Sequence, residues 1–140
     1  NPLQLTGLAG LAQAGLRFVN RQPGSGTRVW LDAMLARGGP VRQAIGGYGY
    51  EVATHSEVAR AVAEGRADAG LGLESAALVY GLDFVFLVRE RYDLVVPEEG
   101  MEAPALARLT RWLGTEPARR LIQEQGGYEV EQTGQVEWVA

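Results

Sequence analysis

Apolar residues in this chain come in short blocks whose spacing switches between strand-like and helical, with glycine or proline between the blocks. Thr6 to Ala14 predicts a short helix, with Thr6 as its cap and Gly15 closing it. Arg17-Phe18-Val19-Asn20 predicts a strand, and Gln22-Pro23-Gly24-Ser25-Gly26 a turn. Thr27 then opens a helix to about Arg37, carrying Val29, Trp30, Met34 and Leu35 at near-helical spacing, and Gly38-Gly39-Pro40 stops it. Ile45 to Tyr50 is glycine-rich and reads as a short strand or an ordered loop.

The clearest helical signal follows Thr54. Val58, Ala59, Val62 and Ala63 form one stripe, Thr54 and Glu57 have the spacing of a capping box, and Gly65 suits the C-terminal turn. Asp68 to Leu73 predicts a strand of small residues, and Glu74 to Tyr80 a short helix ended by Gly81. Phe84 to Val88 and Tyr92 to Val96 predict two apolar strands around an Arg-Glu-Arg turn, ended by Pro97. Ala103 to Leu113 and Glu116 to Gln125 predict two helices separated by Gly114, and the tail from Tyr128 is irregular. Strands and helices alternate through the first two-thirds, so the expected class is α/β with a mainly parallel sheet flanked by helices.

Composition narrows the chemistry. The 140 residues suit one domain with a genuine core. No apolar run approaches the roughly 18 residues of a membrane span. No basic segment followed by an apolar one marks a signal peptide. A net charge of -4 argues against broad binding to nucleic acid. With no cysteine and one histidine, disulfides, thiolate metal sites and cysteine nucleophiles are excluded, and no transition-metal site is expected.

The strongest chemical feature is the corner from Asn20 to Arg28. A strand ends, Gly24 and Gly26 allow a tight turn, Ser25 and Thr27 supply hydroxyls, and a helix begins whose first amides lack intrahelical partners. The positive end of the helix dipole points the same way, so the corner suits an anion, with Arg21 or Arg28 able to add a formal charge. The plainer alternative is that Ser25 or Thr27 only caps the helix. Thr54 and His55 repeat the arrangement, again with simple capping as the competing role. Two such helix starts can converge on one crevice beyond the strand ends.

Three enzyme signatures fail. Pro23 breaks the G-x-S-x-G spacing, no lysine exists to complete a phosphate-binding loop, and Gly70-Leu71-Gly72 lacks the third glycine of a dinucleotide fingerprint. A Ser25, His55 and Asp68 triad has no support from spacing. Trp30, Phe84, Phe86 and Trp112 are expected in the core, and Tyr48, Tyr50 and Tyr92 at its edge. The chain is therefore not expected to be an enzyme.

Taken together, FVNRQPGSGTR, GYGYE, THSEVARAVAEGRADAGLG, LDFVFLVRERYDLVVP and the closing Gly126-Gly127-Tyr128-Glu129 with Thr133-Gly134 resemble one family. It is the cytoplasmic, molybdate- or tungstate-binding branch of the type 2 periplasmic-binding-protein superfamily, attached to helix-turn-helix regulators or molybdopterin-biosynthesis proteins. The resemblance covers nearly the whole chain. It implies that Ser25, Gly26 and Thr27, with Thr54 and His55, line an oxyanion cradle, which the reading of the corner extends to Gly24, Arg21 and Arg28, with no cofactor beyond that ligand. Relatives carry a ligand-contacting tyrosine where this chain has Leu73, which has no donor.

The resemblance further implies that residues 1–96 form the second lobe and 97–140 the C-terminal helices, with most of the first lobe lying outside this chain. The implied partners are a small oxyanion and an attached DNA-binding or molybdopterin-biosynthesis domain, with no membrane and no direct nucleic-acid contact. A homodimer is the other way to cover the apolar surface so exposed. An effector site for a small organic carboxylate and a structural dimerisation module are the competing functions.

Overall fold

The strand at Phe18–Arg21 (β1) is the middle of a three-stranded parallel sheet in the computed structural model, which describes residues 1–138. Glu51–Val52 (β2) lies on one side of it and Ala69–Gly70 (β3) on the other, giving the order β2-β1-β3. A central parallel strand is covered on both faces and so needs apolar residues in succession rather than in alternation. Phe18 and Val19 supply them. They point to opposite faces, and both are 0% exposed.

The helix Gly26–Ala36 (α1) covers the Phe18 face through Leu31 and Leu35, joined by Leu11, Leu16 and Ile45, with Trp30 partly buried against them. The helix His55–Ala63 (α2) covers the Val19 face through Val58 and Ala61, joined by Ala67. A short helix at Glu74–Val79 (α3) packs beside α2. The chain crosses from β1 to β2 through α1 on one face. It then returns past β1 to β3 through α2 on the other.

Chain connectivity in this region follows the sequence pattern, with two departures and with Ile45 to Tyr50 taking the loop rather than the strand of its two readings. The segment from Thr6 tightens to a 3-10 helix, Leu8–Ala12, because its glycines at 7 and 10 favour no longer α-helix. Ile45 to Tyr50 forms no strand. It follows a 3-10 turn at Arg42–Ala44 and then lies along β1, taking the Phe18 amide on the Gly46 carbonyl at 2.7 Å and the Asn20 amide on the Tyr50 carbonyl at 2.8 Å. The strands expected at 84–88 and 92–96 are absent. A strand is stabilised by its neighbour's backbone groups, and the ladders among the described residues join β1 to β2 and β1 to β3. Phe84 and Phe86 accordingly stand 40% and 59% exposed rather than in the core.

Residues group into two compact units, Asn1–Leu87 and Val88–Ala140. The second contains a 3-10 turn at Glu98–Gly100 and two helices, Pro104–Leu113 (α4) and Glu116–Gln123 (α5), each with proline in its first turn, where the missing N–H costs nothing. Ala118 and Val130 are its buried apolar residues, whereas Trp112, expected in the core, is 43% exposed. Among the described residues no helix is long and apolar enough to cross a membrane.

Glycine is required at Gly47. Its φ is +84°, and an added Cβ would lie on the carbonyl oxygen of Phe18. Gly24 has a similar φ of +85° but open space around it. Gly47→Ala should therefore cost roughly 2–4 kcal/mol, combining strain and clash, against about 1 kcal/mol for Gly24→Ala, which meets strain alone. Urea unfolding of both variants checks this; equal losses would mean that the 46–50 segment does not press on β1.

Candidate functional site

β1 and β2 are adjacent and parallel, yet the helices that follow them lie on opposite faces of the sheet. Loops leaving neighbouring strands in opposite directions open a crevice at the carboxyl ends, which is where open α/β sheets bind ligands. The corner at Gly24 to Thr27 follows β1 and the start of α2 at Thr54 and His55 follows β2, so the topology puts both at the carboxyl ends of neighbouring strands.

Arg21 is the last residue of β1 and is aligned with Val52 of β2. Its Nη2 donates to the Ala53 carbonyl at 2.9 Å, which draws the guanidinium across the mouth of the crevice. Its Nε and Nη1 are buried and have no hydrogen-bond partner. Opposite, at the first position of α2, the Nδ1 of His55 is also buried without a partner. Gly72, just after β3, stands beside that nitrogen, and a Cβ there would lie 3.7 Å from it. Burial, and then the positive charge of Arg21, hold the His55 imidazole below its ordinary 6.5. The two side chains are thus electrostatic neighbours with unmet hydrogen-bonding capacity.

The two helix starts are unlike. At α2 the capping box expected from sequence is complete. Thr54 Oγ1 accepts from the Glu57 amide at 3.1 Å, and the Glu57 carboxylate accepts from the Ala53 and Thr54 amides at 2.9 and 2.8 Å. The Thr54 hydroxyl donates to that same carboxylate at 3.1 Å, so Thr54 is committed to the cap. At α1, Ser25 Oγ accepts from the Arg28 amide at 3.3 Å, so Ser25 also caps. No acidic residue lies in the first turn there, and the Gly26 and Thr27 amides have no acceptor among the described residues. Gly24 and Gly26 are exposed, so the corner is not covered by its own chain.

Arg28 has another role. Its guanidinium is 11% exposed and joins Asp32 at 3.1 Å, Glu51 at 2.8 Å, the Arg21 carbonyl at 3.2 Å and the Tyr48 hydroxyl at 3.2 Å, while lying 4.4 Å from the Tyr48 ring centre. Burial would lower its pKa, but the bonds to Glu51, Tyr48 and Asp32 outweigh it and the guanidinium stays charged. Burial likewise pushes Asp32 up, yet bonds from Tyr48 and Arg28 hold it below the usual carboxylate range. Arg28 spends its charge inside the protein, pinning the first turn of α1 to β2. Sequence reading missed Asp32, Tyr48 and Glu51 as its partners; only the i,i+4 spacing of Arg28 and Asp32 hinted at one of them.

No triad assembles. Asp68 is held by Arg17 through three bonds, from the amide at 2.8 Å, Nε at 3.0 Å and Nη2 at 2.6 Å, and does not orient His55. No group of three or more His, Asp or Glu suited to a metal ion exists among the described residues. The Tyr50 hydroxyl accepts a bond from Arg66, and Tyr92 is 98% exposed.

The family model of the PBP superfamily domain matches residues 1–114. Uncharacterized protein YvgK of Bacillus subtilis (strain 168) is 36% identical over 136 residues, which is 97% of this chain and 44% of its own length. An uncharacterized protein in the ferredoxin 2Fe-2S gene 5' region of Clostridium pasteurianum is 36% identical over 93 residues, covering 66% of this chain and 82% of its own. This chain therefore spans less than half the length of the Bacillus relative. No solved structure matches.

Removing Arg28 leaves Glu51 without its cation and Asp32 with only the longer contact to Arg42 at 3.5 Å. Because both carboxylates keep some solvent, Arg28→Ala should cost roughly 2–3 kcal/mol, below the range for a fully buried pair. Arg28→Lys should recover only part of it, since one ammonium cannot span the same acceptors. Chemical denaturation measures both, and full recovery by lysine would mean that charge alone matters.

A second expectation concerns pH. The unfolded chain binds the His55 proton more tightly than the native one, so the contribution of the neutral imidazole to stability is complete above 6.5. It is lost as pH falls below that value towards the lower native pKa. His55→Gln should flatten this part of the stability profile, and an unchanged slope would place the titration on another group.

Proposed function

The chain belongs to the PBP superfamily, and we propose that it binds a small oxyanion of the molybdate or tungstate kind in the crevice at the carboxyl ends of β1 and β2. It would act as the sensor or delivery domain of a regulator or a molybdenum-cofactor protein, a binding domain rather than an enzyme. The observation that carries this reading is the set of stranded polar atoms at one place: Nε and Nη1 of Arg21 facing the side of the crevice that holds Nδ1 of His55. A buried donor left unpaired costs about 1–3 kcal/mol, and an anion supplies the acceptor that the chain does not. The open amides of Gly26 and Thr27 at the positive end of α1 add neutral donors to the same rim.

In this reading Arg21 provides charge, His55 the facing ring nitrogen, and Gly24, Ser25, Gly26 and Thr27 the backbone corner. Arg28 and Thr54 hold the two rims in place without touching the ligand. Occupancy would reach an attached domain only if the anion binds one conformation of the crevice better than another.

Calorimetric titration with molybdate, tungstate, sulfate and phosphate tests the proposal. A tetrahedral oxyanion should bind, and Arg21→Met should weaken it at least tenfold. The same variant should unfold within about 1 kcal/mol of the parent, because it surrenders one bond to Ala53 while removing two unsatisfied donors. Tighter binding of formate or acetate would favour a carboxylate effector, which a planar guanidinium also suits. Absence of binding to every anion would leave a structural module.

A further inference from the structure

Arg21 and His55 come from neighbouring strand–helix corners: the Arg21 guanidinium bonds the Ala53 carbonyl, two residues before His55, and its charge acts on the imidazole. The guanidinium is a fixed cation whose Nε and Nη1 lack acceptors, and the imidazole presents a buried Nδ1 with no partner beside that cation. We infer that this pair selects a doubly charged anion over a singly charged one of the same shape, by taking up one proton on His55 as the anion binds. The inference rests on the oxyanion reading above.

In the empty crevice a second positive charge next to Arg21 is unfavourable, and the imidazole stays neutral. A dianion reverses the balance. It cancels the charge of Arg21, leaves one negative charge over, and offers an oxygen to the ring. A proton then passes from solvent to the bare Nδ1, which donates to that oxygen, while the Nε2 proton stays where it was. Two positive charges now face two negative ones. A monoanion is already matched by Arg21 and brings no reason for the ring to charge.

The groups around His55 leave this role to the ligand. On α2, the Glu57 carboxylate is held by the Ala53 and Thr54 amides, and Arg60 lies in the last turn. From β2, Glu51 is bound by Arg28 at 2.8 Å. The loop after β3 contributes Gly72, which has no charge, and the one charged residue of α3 is Glu74 at its first position. No carboxylate among the described residues bonds to the imidazole.

Molybdate and perrhenate make the comparison, because they share a tetrahedral shape, differ by one charge and hold no proton near neutral pH. Calorimetry of the chain with each, in two buffers of different ionisation enthalpy, counts the protons taken up. Molybdate should bind at least tenfold more tightly than perrhenate and take up close to one proton on the alkaline side of neutrality, with affinity rising as pH falls. Perrhenate should take up none. His55→Gln should bind molybdate with no proton uptake and a flat pH profile.

Molybdate binding by the parent without proton uptake, or perrhenate binding as tight as molybdate, overturns the inference and leaves the oxyanion site standing. No binding of either anion at any pH overturns both. The proton count on the parent protein needs no variant, so it decides the matter even if His55→Gln does not fold.

Discussion

Phe18 and Val19 are consecutive residues of β1, and each is wholly excluded from solvent, so each face of the central strand must carry its own helix. That requirement sends α1 to one face and α2 to the other, even though their parent strands are neighbours. Burying either side chain contributes on the order of 1.5–3 kcal/mol, so stability alone would hold this arrangement. Its consequence is functional geometry: the corner after β1 and the corner after β2 must diverge, and the space between them is a crevice. A polar residue at either position would remove the reason for one helix to pack and would close the crevice by losing a wall.

Placement of the walls then depends on Arg28. It begins on α1, reaches Glu51 on β2 and bonds the carbonyl of Arg21 on β1, so one guanidinium fixes three backbone segments around the mouth. Fully buried Asn20 does similar work, donating to the Tyr48 carbonyl at 3.0 Å and accepting from the Arg21 amide at 2.9 Å. Together these bonds leave the Arg21 backbone little freedom, and its side chain is directed across to Ala53. The strand sets where the site is, and the polar network sets how Arg21 enters it.

Much of this was legible before any coordinates. The α2 capping box followed from Thr54 and Glu57, the α/β class from the alternation of blocks, and the Gly24–Thr27 corner from its glycines and hydroxyls. What escaped was set by contacts distant in sequence. Asp32 four residues on is the one local hint that sets Arg28 apart from Arg21, yet Arg28 is pinned among Asp32, Tyr48 and Glu51 while Arg21 keeps two donors unmet. The apolar segments 84–88 and 92–96 have the composition of strands, but strand structure is completed by a neighbour rather than by composition, and the ladders among the described residues join β1 to β2 and β3 instead. Period and capping are local properties; partnership is not.

Contrast between the two helix starts bears most on why Arg21 is left open. At α2 the chain supplies its own anion, since Glu57 folds back onto two amides and its ionised form is favoured by the Thr54 hydroxyl and those amides. The same device would serve at α1, where an acidic residue in the first turn would meet the Gly26 and Thr27 amides and the Arg21 guanidinium together. None stands there. A chain that closes one helix start with a carboxylate and leaves the other with only the Ser25 cap, beside a half-buried arginine with two unmet donors, carries a standing cost in those buried donors. Such costs are characteristic of sites completed by a ligand, and they weigh for an external anion over a merely structural corner.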